Sequence, residues 1–305
     1  MKMITSLSKP LLGLTLTALL VIASCKKDQS SNSQNSGDNA SATLSAASDE
    51  AVAEEQFDDV FNASVGIDDA TAGEDLGIGG NIGMGVFSSV NTNGTLREDS
   101  LHERCFTVDV FPKERGVFPK TVTIDFGTGC LGRDGKLRKG KIITVYTGKM
   151  HIPGSKATTT FEGYAVDSFA IEGTHEVQNV STSNQRAWTR KVIAAKITNT
   201  NSGKWVSWSC EKTHTQVEGN GTPFWPFDDV FNITGNAKGE KSNGNSWTAA
   251  ISTPLVRKFI CYWIVQGTVN ITHNDTEGVL DYGQGDCDNK ATITINGVVR
   301  DITLP

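Results

Sequence analysis

The chain has 305 residues, 20% of them charged and 37% hydrophobic, with 31 glycines and a formal charge of −6. That length holds one large domain or two ordinary ones, and the abundant Gly, Thr, Ser and Asn suit strands and turns. Lys2 and Lys9 are the only charges in residues 1–24, so the remainder is more acidic still, which argues against nucleic acid as a partner.

Residues 1–24 carry a basic start, a short apolar run from Leu11 to Ile22 and a small-residue exit, Ala23-Ser24, ahead of Cys25. This is the layout of a secretory signal peptide, and the run is too short to span a bilayer comfortably. Cys25 after Ile22-Ala23-Ser24 resembles the bacterial lipobox, in which the thiol is acylated and the signal is cut just before it. Cys25 is therefore the expected lipidation site, and dual acylation supplies the chains that stable anchoring needs. Residues 25–48 are rich in Ser, Asn, Gln, Gly and Ala and read as a disordered tether. The charges directly after Cys25 resemble the export signal of surface lipoproteins of Bacteroidota.

An amphipathic helix is predicted over 49–65. Ala53, Phe57, Val60 and Phe61 form one apolar stripe, Ser48 or Asp49 can cap the start, and acids crowd the first turns, where the helix dipole favours them. The hexapeptide Phe57-Asp58-Asp59-Val60-Phe61-Asn62 recurs at 227–232, which we read as coincidence or a shared local turn. Residues 66–103 form a Gly-rich connection whose glycine spacing does not fit a dinucleotide loop.

Residues 104–305 read as a β domain. Strands are predicted at 105–111, 121–126, 141–148, 157–166, 170–179, 189–199, 204–217, 230–237, 246–253, 259–272, 279–282, 290–295 and 298–303. Asp134-Gly135, Asn243-Gly244 and Asn296-Gly297 accept positive φ and mark tight turns. With no helical pattern between strands, the fold class is mainly β: an antiparallel meander forming a curved sheet, open barrel or sandwich with the helix packed on it.

Two strings stand out. Ile124-Asp125-Phe126-Gly127-Thr128-Gly129-Cys130 and Leu280-Asp281-Tyr282-Gly283-Gln284-Gly285-Asp286-Cys287 share an Asp, an aromatic ring, Gly-x-Gly and a cysteine. Cys105 and Cys261 lie upstream at similar distances, so Cys105–Cys130 and Cys261–Cys287 each close the open end of one predicted hairpin. Export into an oxidising compartment favours such disulfides, and Cys210 is left as a buried, inert thiol. Asp125 and Asp281 are read as turn or ligand carboxylates.

No catalytic constellation emerges. Gly135–Lys141 has phosphate-loop spacing but carries Ile142 where a metal-binding hydroxyl belongs. His102, His151, His175, His214 and His273 lack zinc spacing, and there is no nucleophile elbow. The acid pairs Asp58-Asp59, Asp68-Asp69, Asp228-Asp229 and Asp286/Asp288 are oxygen donors suited to calcium but fall in no complete loop pattern. No metal or cofactor is expected. Trp205, Trp208, Trp225 and Trp247 read as either a sugar- or peptide-binding platform or cross-strand pairs. Asp99-Ser100-Leu101 resembles an O-glycosylation triplet of exported Bacteroidota proteins.

The strings at 118–130 and 281–297 look like hallmarks of a family of Bacteroidota lipoproteins, a resemblance covering roughly residues 104–304. That family carries no assigned activity, so the resemblance implies no catalytic residue. The expectation is an exported protein of the cell envelope, anchored in the outer membrane either facing the periplasm or displayed at the surface, with a non-enzymatic binding or structural β domain whose ligand or protein partner is open. The alternatives are a periplasmic carrier of lipid or another apolar ligand in a half-open barrel, and a glycan-acting hydrolase, which needs two carboxylates set across a cleft.

Overall fold

The computed structural model describes residues 30–65, 105–132, 135–222 and 226–304. The signal segment, Cys25, the Gly-rich connection, His102 and Trp225 lie outside the described residues.

One helix, α1 (Ser30–Val65), precedes an antiparallel meander. Its first strands are β1 (Thr107–Phe111), β2 (Lys120–Asp125), β3 (Cys130–Leu131), β4 (Leu137–Tyr146) and β5 (Lys156–Val166). Then come β6 (Phe169–Asn179), β7 (Ala187–Asn199), β8 (Trp205–Glu218), β9 (Val230–Lys241) and β10 (Ser246–Lys258). The last are β11 (Gln266–His273), β12 (Thr276–Gln284), β13 (Lys290–Ile295) and β14 (Val298–Thr303). All 14 strands belong to one sheet in chain order, with the two-residue β3 set beside β4. The sheet is not closed, and β1 and β14 are its edges.

The alternation that sequence periodicity predicts is what buries one face. In β13, Ala291, Ile293 and Ile295 point inward, and in β2 Val122 and Ile124 do the same. Asn296-Gly297 joins β13 to β14 with both residues at positive φ, as a tight hairpin requires. Curvature comes from bulges: the register shifts in the middle of the β4–β5, β6–β7 and β7–β8 pairings, and again in β9–β10 and β11–β12. Each extra residue bends its strand and strengthens the local twist. Gly235 sits at such a bend with φ +133°, where a Cβ would stand 2.2 Å from the Glu211 carbonyl oxygen.

The concave face wraps α1. The helix backbone lies close to β10, β11, β12, β13 and β4, while side chains reach it from β7 and β8. At its centre Phe57, fully buried, stacks on Trp208 at 5.6 Å and meets Phe161 edge-on at 6.2 Å. Truncating a ring in that position costs about 3–5 kcal/mol.

The helix differs from the sequence expectation in length and in what it buries. It begins at Ser30, not 49, so the tether expected over 25–48 is helical from residue 30 onward. Thr43, Ala46 and Ala47 are fully buried. Residues too small to form a core by themselves can still seal a helix onto a sheet, because they let the two backbones approach. Thr43 lies against Gly278 of β12, and its hydroxyl donates to Asn39 O at 2.9 Å. A start at Ser30 also places Asp49 and Glu50 in mid-helix, away from the N-terminal dipole, and removes the cap assigned to Ser48 or Asp49. Of the predicted stripe, Ala53, Phe57 and Val60 are buried. The second copy of its hexapeptide forms a 3-10 turn, Pro226–Asp228, and enters β9, so identical residues adopt unrelated structures.

Candidate functional site

Glu50, Glu54 and Asp58 recur every four residues, so they project from one face of α1 at successive turns. Three cations meet them from the sheet. Arg190 of β7 donates through Nη2 to Glu54 at 2.5 Å and through Nη1 to Asp58. Lys212 of β8 donates to Glu54 and lies 3.6 Å from Glu50. Arg257 of β10 donates to Asp58 at 2.5 Å. Arg190 and Lys212 face each other in the β7–β8 register, which sets them side by side on the inner wall.

The third acid has a different seat. Glu50 Oε2 accepts from the indole N–H of Trp208 at 2.8 Å and of Trp247 at 3.1 Å. Both tryptophans pair with Gly239 on the strand between them. A Cβ at Gly239 would fall 2.1 Å from the Trp247 ring, so only glycine leaves room for the indole to reach the helix.

Burial works hardest against the charges of Glu54, Asp58, Arg190 and Lys212, yet the pairing wins. It tends to raise the Asp58 carboxyl, but Arg257 and Arg190 hold it at about 2. Burial likewise opposes ionisation of Glu54, and Arg190 and Lys212 hold it below the ordinary range. Burial would strip the proton from Lys212, but Glu54 and Glu50 keep its ammonium above its usual pKa. The cluster thus sets three carboxyl side chains against three basic ones, and pairing favours the charged forms of Glu54, Asp58, Arg190 and Lys212. Beside it, His175 and His214 are neutral: burial first, then the Arg190 charge, pushes both from 6.5 down to about 3. Burial also pushes the thiol of Cys210, next to Arg190 on the inner wall, above its ordinary value, which keeps it protonated and unreactive.

The residues singled out in the sequence fall elsewhere. Cys105–Cys130 and Cys261–Cys287 are both disulfides, with Cα separations of 5.3 and 5.8 Å. Asp125 Oδ1 accepts from the Gly127 amide and Asp281 Oδ1 from the Gly283 amide, each at 2.8 Å, so the matching strings form matching turns. The Gly-x-Gly of the second string carries a bulge between β11 and β12. The two stapled regions lie near one another: Lys136, just ahead of β4, reaches Tyr262 Oη at 3.1 Å and Glu55 of α1 at 2.8 Å. The phosphate-loop lookalike thus contributes a helix contact.

Of the tryptophans proposed as a platform, Trp208 and Trp247 turn inward to Glu50, and Trp205 is half-buried beside Lys196 at 5.6 Å. Asp58 and Asp229 are spent on Arg190 and on the Gln216 amide, and Asp288 caps the Lys290 amide. Among the described residues no three His, Cys, Asp or Glu side chains converge as a metal site. No described helix is long and apolar enough to cross a membrane.

Sequence reading passed over Glu50, Glu54, Arg190, Lys212 and Arg257. One signal pointed to them: Lys212 shares its strand parity with Trp208 and Cys210, so a charge stands in an inward row. Comparison of the chain with known protein families, curated proteins and solved structures returned no match.

Proposed function

We propose that the chain is a lipid-anchored protein of the cell envelope whose β domain is a non-enzymatic binding or structural module, with α1 joining anchor to domain. The observation that carries this reading is continuity: α1, described from Ser30 onward, covers most of the stretch between the expected anchor residue and the domain and runs without a break into the sheet's interior. At 1.5 Å per residue, Ser30 lies roughly 20 Å along the helix from Thr43, a fully buried side chain among the described residues. A second support is chemical. The charged groups of the interior neutralise one another across the helix–sheet contact, which leaves no free acid, base or nucleophile poised in that cluster.

The test is membrane flotation of the full precursor with Cys25 intact and as Cys25→Ser. The expected outcome is that the wild type floats with outer-membrane vesicles and the variant stays with soluble protein. Full membrane retention of Cys25→Ser would overturn the anchor.

A further inference from the structure

The helix–sheet contact has the chemistry of a docking interface. Burying three carboxylates against two arginines and a lysine gains little over well-packed apolar residues of the same volume. It specifies a partner sharply, however, because any occupant lacking matched carboxylates leaves Arg190 and Lys212 buried without counter-charge. Withdrawal of the helix would uncover apolar core on both sides, with the acid ladder beside Phe57 and Val60 on the helix and Arg190, Lys212 and the Trp208 and Trp247 N–H donors beside Ile271 and Leu280 on the wall, so each face needs a matched occupant. The sequence between helix and sheet adds a second consideration. A connection of roughly 40 residues can extend to on the order of 100 Å, so covalent linkage does not confine α1 to its own sheet.

We propose that the basic inner wall is a helix-receiving site that takes α1 from a second copy of this chain as well as its own, so that two copies pair by reciprocal exchange of α1. The recognition code is the Glu50, Glu54, Asp58 ladder read by Arg190, Lys212 and Arg257. Exchange makes every contact of the monomer between copies and adds no unsatisfied charge. This inference does not depend on the lipid anchor.

Two full-chain variants with different C-terminal affinity tags test it. Glu54→Lys sets a cation against Arg190 and Lys212, and Arg190→Glu sets an anion against Glu54 and Asp58. Neither chain can satisfy its own site. In the exchanged pair, the unaltered helix of the second enters the unaltered wall of the first, and Lys at 54 meets Glu at 190. Co-refolding the two is expected to give a one-to-one species of doubled mass, with co-capture on the order of a hundredfold above that of two tagged pools of either variant alone. If the variants misfold singly, recovery of soluble protein only in the mixture is the same result. Glu54→Lys mixed with Lys191→Glu, which alters a cation paired with Glu211 on the outer face, should stay at background. Background co-capture from the complementary pair, or equal co-capture from the Lys191 control, would overturn the proposal.

Discussion

The two halves of α1 hold to the sheet by opposite means. The N-terminal half, through Ala46 and Ala47, is sealed by side chains so small that backbone lies nearly on backbone, with Gly278 opposite Thr43. The C-terminal half stands off behind long side chains and is fixed by Arg190, Lys212 and Arg257 on Glu54 and Asp58, around the ring of Phe57. Small-residue packing is insensitive to pH and salt and intolerant of added volume. The ion row tolerates shape change poorly for a different reason, since removing one member strands the others' charge. Position along one helix therefore decides which perturbation does damage.

Acid should separate the halves most strongly. His175 and His214 are neutral in the fold with pKa values near 3, and in the unfolded chain they protonate near 6.5. Depressed folded values mean that the unfolded state binds more protons below that point. Stability is then full above about pH 6.5 and falls towards pH 3, by up to about 1.4 kcal/mol per pH unit for each histidine. Asp58, held at about 2, adds a further loss as pH drops below its unfolded value of 3.8. Urea midpoints across pH 7.5–3.5 check this, and a flat profile above pH 4.5 would mean the histidines are solvated.

Arg190→Ala comes next. It leaves Glu54 with Lys212 alone and Asp58 with Arg257 alone in the interior, and is expected to cost about 3 kcal/mol by chemical denaturation. Close behind, Cys261→Ser with Cys287→Ser opens a disulfide of sequence separation 26, for which the chain-entropy model gives about 3 kcal/mol. Since this staple sits beside Lys136 and Glu55 at one end of the helix contact, its loss should also speed hydrogen exchange in the C-terminal half of α1. The smallest effect is expected for Ala47→Leu, where added volume against a close-packed wall costs about 1–3 kcal/mol, independent of pH between 4 and 8. A neutral Ala47→Leu would remove the distinction between the halves.

What could be read from the sequence follows the same divide. Strands announced themselves by alternation and turn residues: Asn296-Gly297 makes the tight hairpin its composition requires, and even cysteine spacing placed both disulfides. The N-terminal half of α1 was illegible because Ala, Ser, Thr and Asn compose a solvated tail equally well, and only the wall it lies on makes it a helix. The ion row was illegible for a related reason. Glu54 and Arg190 are 136 positions apart, and acids spaced by four along a helix have the pattern of a solvent face. The matched Asp125 and Asp281 strings, the most conspicuous local feature, proved to be turn caps, while the less conspicuous Glu50 gathers two tryptophans.

The ion row as a specific lock between helix and sheet is best judged by a double-mutant cycle on Glu54→Gln and Lys212→Met, followed by urea denaturation at pH 7. Two groups in direct buried contact should show a coupling energy above about 1 kcal/mol. Additivity within about 0.3 kcal/mol would mean that α1 does not seat on Lys212, contradicting the helix–sheet contact described above.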